Sequence, residues 1–369
     1  MVTRAPGARL VLIAPAGALL LLGLYAGLVL IGMPLPVFAD RLAELHAPLL
    51  VFGFVGTLIS LERAVALRRA WAYAAPVLLA VGALLALSPA PPAAGRTMVL
   101  LGLLAHLGQY FAIWRRQPMT ATAVQAMGVV AGAAAAAVWT AGVAAAPLVP
   151  LLAAFLVLTI AGERLELARI ASPGLPAERM LFILAVALSL AALVTLTAPV
   201  VAVPIAGVIL LLLVSWLLRH DVARVTVHRT GLPRFVALCL LTGYVWLTVA
   251  GAGWLLGGAR LEGSIYDATT HAIFLGFVIT MIMAHAPLIL PAVLQVSIPY
   301  HPALYVPVAL LQAGLLLRIV VGDAWGVVIA LQVGGAASVA GILLFALLAI
   351  TLTLRARRAA RKEAARVAA

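Results

Sequence analysis

Runs of about twenty apolar residues recur along this chain, and no other feature restricts its fold as severely. They fall near 10–32, 44–67, 71–89, 97–115, 119–145, 149–168, 179–199, 201–219, 233–256, 268–291, 302–320 and 324–354. A run of this length, coiled as a helix, matches the hydrocarbon thickness of a bilayer. Composition agrees: 66% of the 369 residues are hydrophobic and 9% charged, and the mean hydropathy is +1.21. No soluble domain of this size is so apolar. The expected architecture is all-α, a polytopic membrane bundle of about 12 transmembrane helices. The expectation is a single integral membrane domain over 1–369 with no soluble domain. The first run follows Arg4 and Arg9 and resembles a signal peptide, but its apolar core is too long for one and is read as the first span.

The 24 basic residues outnumber the 11 acidic ones, a formal charge of +13. In a membrane protein such an excess of arginine marks cytoplasmic loops rather than a nucleic-acid partner. One side of the bundle receives Arg4, Arg9, Arg68, Arg69, Arg115, Arg116, Arg169 and Arg179, then the loop from Arg219 to Arg234, then the tail from Arg355. The other side receives little beyond Arg41, Arg96 and Arg260. Both termini are therefore expected in the cytoplasm, with the tail, 355–369, against anionic lipid. Cys239 is the only cysteine, which excludes intrachain disulfides and thiolate metal clusters.

Three segments share a pattern. The second span reads GFVGTLISLERAVAL from Gly53, the sixth AFLVLTIAGERLELARI from Ala154, and the tenth GFVITMIMAHAPLIL from Gly276. Gly53, Phe54, Thr57 and Ile59 align with Gly276, Phe277, Thr280 and Ile282, which sets Glu62 on His285. Glu163 with Arg164 echoes Glu62 with Arg63. Recurrence every fourth span suggests three four-helix units, roughly 1–118, 119–219 and 220–369.

An ionisable side chain inside a span is costly and marks a functional site by default. His46 opens the second span and His271 the tenth, both at the non-cytoplasmic end, while Glu62, Glu163 and His285 lie toward the cytoplasmic end. Two histidines from different helices can clamp one haem, and Gly53, Gly56 and Gly276 would leave room for its edge. The competing reading of each histidine is an interfacial ring bonded to a carbonyl. Fourteen residues separate His271 from His285, about 40° short of four turns, so an ideal helix sets both on nearly one face. Glu62, sixteen residues after His46, is turned about 160° from it and shares its pocket only if the helix kinks. Glu62, Glu163 and His285 would hold copper or iron or relay protons; alternatively, Glu62–Arg63 and Glu163–Arg164 are snorkelling pairs. His106, with Gln109 and Tyr110 on its face, reads as a buried hydrogen-bonded histidine or as a further ligand. His301 lies in a loop between prolines, and His220 and His228 in the aqueous loop. There is no CxxCH, Walker A loop, HExxH or GxGxxG.

Twelve spans in three arcs, with histidines opening spans two and ten, resemble the catalytic subunit of haem–copper oxidases. The wording HAPLLVFGFVGTLIS and THAIFLGFVITMIMAHAP is similar to the NnrS family of bacterial membrane proteins, described as binding haem and copper and as linked to nitric-oxide metabolism. The resemblance covers the whole chain in topology and about fifty residues in wording. It implies a b-type haem on His46 and His271, with copper as a second group. Its electrons would come from quinol or a cytochrome c, and any activity would be oxidoreductase-like. The sixth span lacks the oxidases' copper-ligand histidine, the seventh their paired histidines and the tenth a His-x-His, which argues against dioxygen reduction. Two other classes compete. A proton-coupled secondary transporter would use the same Glu and His residues, although threefold repeats weigh against it. A cofactor-free membrane scaffold would tolerate replacement of every membrane histidine.

Overall fold

The computed structural model describes residues 6–39, 41–168, 174–294 and 299–368. Arg4 and Arg169, used above for orientation, lie outside them. Among the described residues there is no strand, and twelve helices are long and apolar enough to cross a membrane. In chain order they are Ile13–Leu30, His46–Leu67, Ala70–Leu87, Pro92–Arg116, Thr120–Thr140, Ala146–Ala168, Leu175–Val194, Pro199–His220, Leu232–Gly257, Gly263–Leu288, Pro302–Asp323 and Val328–Arg358. The chain is an all-α, multi-pass membrane protein. Prolines occupy the first turn at Pro92, Pro176, Pro199, Pro233 and Pro302, where no intrahelical donor is lost and φ is already helical.

The sixth span is the centre of the bundle: 83% of it is buried, against 28% of the first and twelfth. Neighbouring spans approach until backbones touch. A Cβ on Gly207 would lie 2.6 Å from the carbonyl oxygen of Gly251, joining spans eight and nine. One on Gly314 would lie 2.7 Å from that of Gly334, joining eleven and twelve. Only glycine permits such contacts, which replace the hydrophobic driving force that lipid does not provide.

Two spans depart from α geometry at matched places. The second is a π-helix over Leu49–Gly56 and the tenth over Ala272–Ile279. In the alignment of Gly53 with Gly276 these segments coincide end to end, Leu49 on Ala272 and Gly56 on Ile279. The sixth span carries no such segment and is α-helical over Val149–Ala168. A third π segment, Leu317–Asp323, ends the eleventh span. A π-bulge inserts one residue and retards the helix by about 100°. That insertion changes both angular expectations. Glu62 comes to within about 60° of His46, while His285 turns about 140° away from His271.

Candidate functional site

His46 and His271 are brought together. Their ring centres lie 6.4 Å apart with the planes inclined at 34°. His46 Nδ1 donates to the Gly23 carbonyl at 2.8 Å, and His271 Nδ1 donates to the Asp267 carbonyl at 2.8 Å with the Asp267 carboxylate 3.1 Å away. A carbonyl only accepts, so each Nδ1 carries the proton and each Nε2 keeps its lone pair. No protein group among the described residues bonds either Nε2. The His46 ring sits where a Gly27 side chain would be: a Cβ there would lie 2.7 Å from His46 Cε1.

Both rings line a cavity of about 620 Å³ bounded by spans one, two, six, ten, eleven and twelve. Its walls are mainly apolar, with Leu24, Leu50, Phe54, Phe274, Ile279 and Ile342 among them. Polar groups gather around Asp267, Arg318 and Asp323. The Arg318 guanidinium grips the Asp267 carboxylate through two bonds, 2.7 and 2.9 Å. Asp323 Oδ2 is buried with no hydrogen-bond partner among the described residues. The glycines expected to admit a cofactor edge do other work. Gly53 faces Ala83 and Leu19, Gly56 faces Val51 and Leu79, and Gly276 admits the Trp246 ring. Gly27 is the glycine that makes room for the His46 ring.

The second tier surrounds a smaller cavity of about 130 Å³. Its lining repeats by position across the three central spans. Glu62, Glu163 and His285 all face it, at separations of 101 and 223 residues. The same two separations relate Ile59, Ile160 and Ile282, and also Leu58, Thr159 and Met281. They relate Val55, Leu156 and Val278 as well, and these three form a wall shared by both cavities. Spans two, six and ten thus present equivalent positions to one common space, in the alignment read from the sequence.

The ion pairs in this tier run between elements, not between sequence neighbours. Arg63 donates to Glu163 at 3.2 Å and lies 3.8 Å from Glu166, and its guanidinium stacks over Tyr110. Arg164 makes a two-point bond to Asp221, 2.7 and 2.9 Å, in the connection after span eight. The Tyr244 hydroxyl and the Ala223 N–H also donate to Asp221. Burial works to raise the Asp221 pKa, but bonding and charge from Arg164, with Tyr244 and Ala223, outweigh it and hold the carboxyl below its ordinary range. His285 Nδ1 donates to the Met281 carbonyl and its Nε2 accepts from Arg164 at 3.1 Å. In this arrangement His285 offers no free ring nitrogen to a metal. Among the described residues, no three His, Cys, Asp or Glu side chains converge on a metal position.

His106 stands apart from both cavities. It is fully buried, and Nδ1 bonds the Gln109 carbonyl oxygen at 2.6 Å, while the Gln109 amide donates to the backbone oxygens of Ser60 and Ala72. It ties span four to spans two and three. His301 accepts from the Ala303 N–H, His220 bonds the Trp216 carbonyl, and His228 is exposed. Gly27, Arg318, Asp323 and Asp221 were not singled out from the sequence. An arginine inside span eleven was the available signal for the polar end of the cavity.

Comparison with curated proteins and with solved structures gives no match. A family model described as a domain of unknown function (DUF8744) matches residues 9–354, nearly the whole chain, and the chain belongs to that family.

Proposed function

We propose that this is a haem-binding electron-transfer protein of the bacterial inner membrane, with a b-type haem held between His46 and His271. The observation that carries the reading is their 6.4 Å separation with both Nε2 atoms unengaged. An imidazole nitrogen stands about 2.0–2.1 Å from a metal and roughly 1.1 Å from its own ring centre, so two rings on opposite sides of one metal have centres about 6.3 Å apart. The cavity volume lies in the range of cofactor sites, about 300–1,000 Å³, and its apolar walls with one polar region suit an amphipathic macrocycle. Two protein nitrogens alone do not complete a metal's coordination, which favours a metal arriving with ligands of its own.

The chain's residues would divide the work. The Gly23 and Asp267 carbonyls fix the tautomer and aim of each ring, and the Asp267 carboxylate stands beside the His271 Nδ1–H. Phe54 and Phe274 would exclude water, and Arg318 would keep the Asp267 carboxylate in place beside His271. When bound, the haem would supply one-electron redox chemistry, and with His46 and His271 both committed to holding it, electron transfer would be favoured over gas binding. A link to nitric-oxide metabolism would therefore run through electron supply, from quinol or a cytochrome c. The excess of arginine at one set of loops supports cytoplasmic termini.

The test is a reduced-minus-oxidised spectrum of detergent-purified protein with pyridine haemochrome quantification. About one haem per chain is expected. It should vanish in His46→Ala and in His271→Ala and persist in His228→Ala. A protein colourless after haem-supplemented expression would defeat the reading.

A further inference from the structure

We propose that the smaller cavity is a proton-binding site on a path along the seam of spans two, six and ten, with Glu62 carrying the proton. The path continues through the barrier of Val55, Leu156 and Val278 into the larger cavity. The argument starts from charge. Every ionisable group around the smaller cavity except one has a partner. Arg63 is matched by Glu163, with Glu166 beside it. Arg164 is matched by Asp221, which Tyr244 also bonds, and His285 is tied at both nitrogens. His106 and Tyr110, on span four, bring no charge to offset another. Glu62 faces the cavity with no hydrogen bond or ion pair among the described residues, because Arg63 beside it turns to Glu163. The one cation whose charge reaches Glu62 is Arg63, which is already shared by Glu163 and Glu166, so a further positive charge must come from outside the protein.

Geometry favours a proton over a metal cation. The oxygens within the lining come from Glu62, Glu163 and Thr159. One Glu163 oxygen is engaged by Arg63, and the Thr159 hydroxyl donates to the Phe155 carbonyl. Four isoleucines, Leu58 and Met281 make up much of the remaining wall. Hard cations take about six oxygen ligands, more than this set supplies, whereas a proton needs one. The volume of about 130 Å³ leaves room for a few waters to deliver it. Three apolar side chains from equivalent positions then separate this space from the larger cavity. Such a barrier conducts only when wetted, in the manner of hydrophobic gates.

The test uses the full chain in vesicles containing a pH-sensitive dye, under a potassium–valinomycin potential. The wild type should acidify slowly. A Val55→Ala, Leu156→Ala, Val278→Ala triple variant should acidify at least tenfold faster, and Glu62→Gln added to it should restore the slow rate. No acceleration, or acceleration that survives Glu62→Gln, overturns the proposal, as does a matching sodium influx. Should the triple variant misfold, infrared difference spectroscopy decides on the single variant. The proposal requires a protonated-carboxyl band at neutral pH in the wild type that is absent in Glu62→Gln.

Discussion

The rings of His46 and His271 face one another at 6.4 Å although 225 residues separate them in the chain. Gly27, on a third helix, leaves the space that the His46 ring fills. Replacing Gly27 by Leu should displace the His46 ring without breaking any helix–helix backbone contact. We expect haem occupancy, read from the pyridine haemochrome, to fall about tenfold or more, equivalent to at least ~1.4 kcal/mol of lost affinity. Helical circular dichroism should be unchanged. Full occupancy in this variant would mean that His46 is not a ligand.

Arg318 is paired with Asp267 at the polar end of the larger cavity, where Asp323 interacts with both. Arg318→Leu leaves two carboxyl groups without it. A fully buried pair broken from one side costs about 3–5 kcal/mol. Asp267 is a quarter exposed, so solvent screening reduces the expected loss to roughly 2 kcal/mol. The Arg318→Leu, Asp267→Leu double variant should recover part of that stability, because it removes both charges. Thermal unfolding in detergent measures both. A double variant less stable than Arg318→Leu would show that Asp267 has a structural role independent of the pair.

Asp221 reports on a different kind of anchoring. It is 1% exposed and its partner Arg164 4%, so this pair is desolvated on both sides. Asp221→Ala should cost about 3–5 kcal/mol by stranding the guanidinium. Because the folded pKa lies below the unfolded one, the stabilisation is complete above the ordinary carboxylate pKa of about 3.9 and is lost as pH falls through the lower folded value. Wild type and variant should therefore differ by a constant amount across neutral pH and converge only in strong acid. Convergence already at pH 6 would contradict the assignment.

Helix count was legible from the apolar runs, the pairing of spans two and ten from the histidines that open them, and the alignment of Glu62 with Glu163 and His285 from the residue pattern those spans repeat. Partner choice was not. Glu62–Arg63 and Glu163–Arg164 are neighbours in the chain, yet both arginines reach across to other elements, since adjacent residues on a helix point apart. Gly27 and Gly53 look alike in sequence, and only the packing shows that one admits a histidine ring and the other an alanine. The π segments were invisible for a further reason: LLVFGFVG and AIFLGFVI have no composition that separates them from α-helix. An even 100° per residue therefore placed His285 with His271 and set Glu62 against His46.

The π segment of span two makes the last prediction. The residue inserted over Leu49–Gly56 is what allows one helix to present His46 to the larger cavity and Glu62 to the smaller. Deleting Val51 should let the segment relax to α geometry and turn one part of the helix by about 100° relative to the other. The helix itself should survive, since α hydrogen bonding replaces π, and circular dichroism should show undiminished helicity. One tier must then leave its cavity: either the haem absorbance or the Glu62 carboxyl band in the infrared should disappear. Retention of both signals would mean that the π segment is not what sets the two tiers in register.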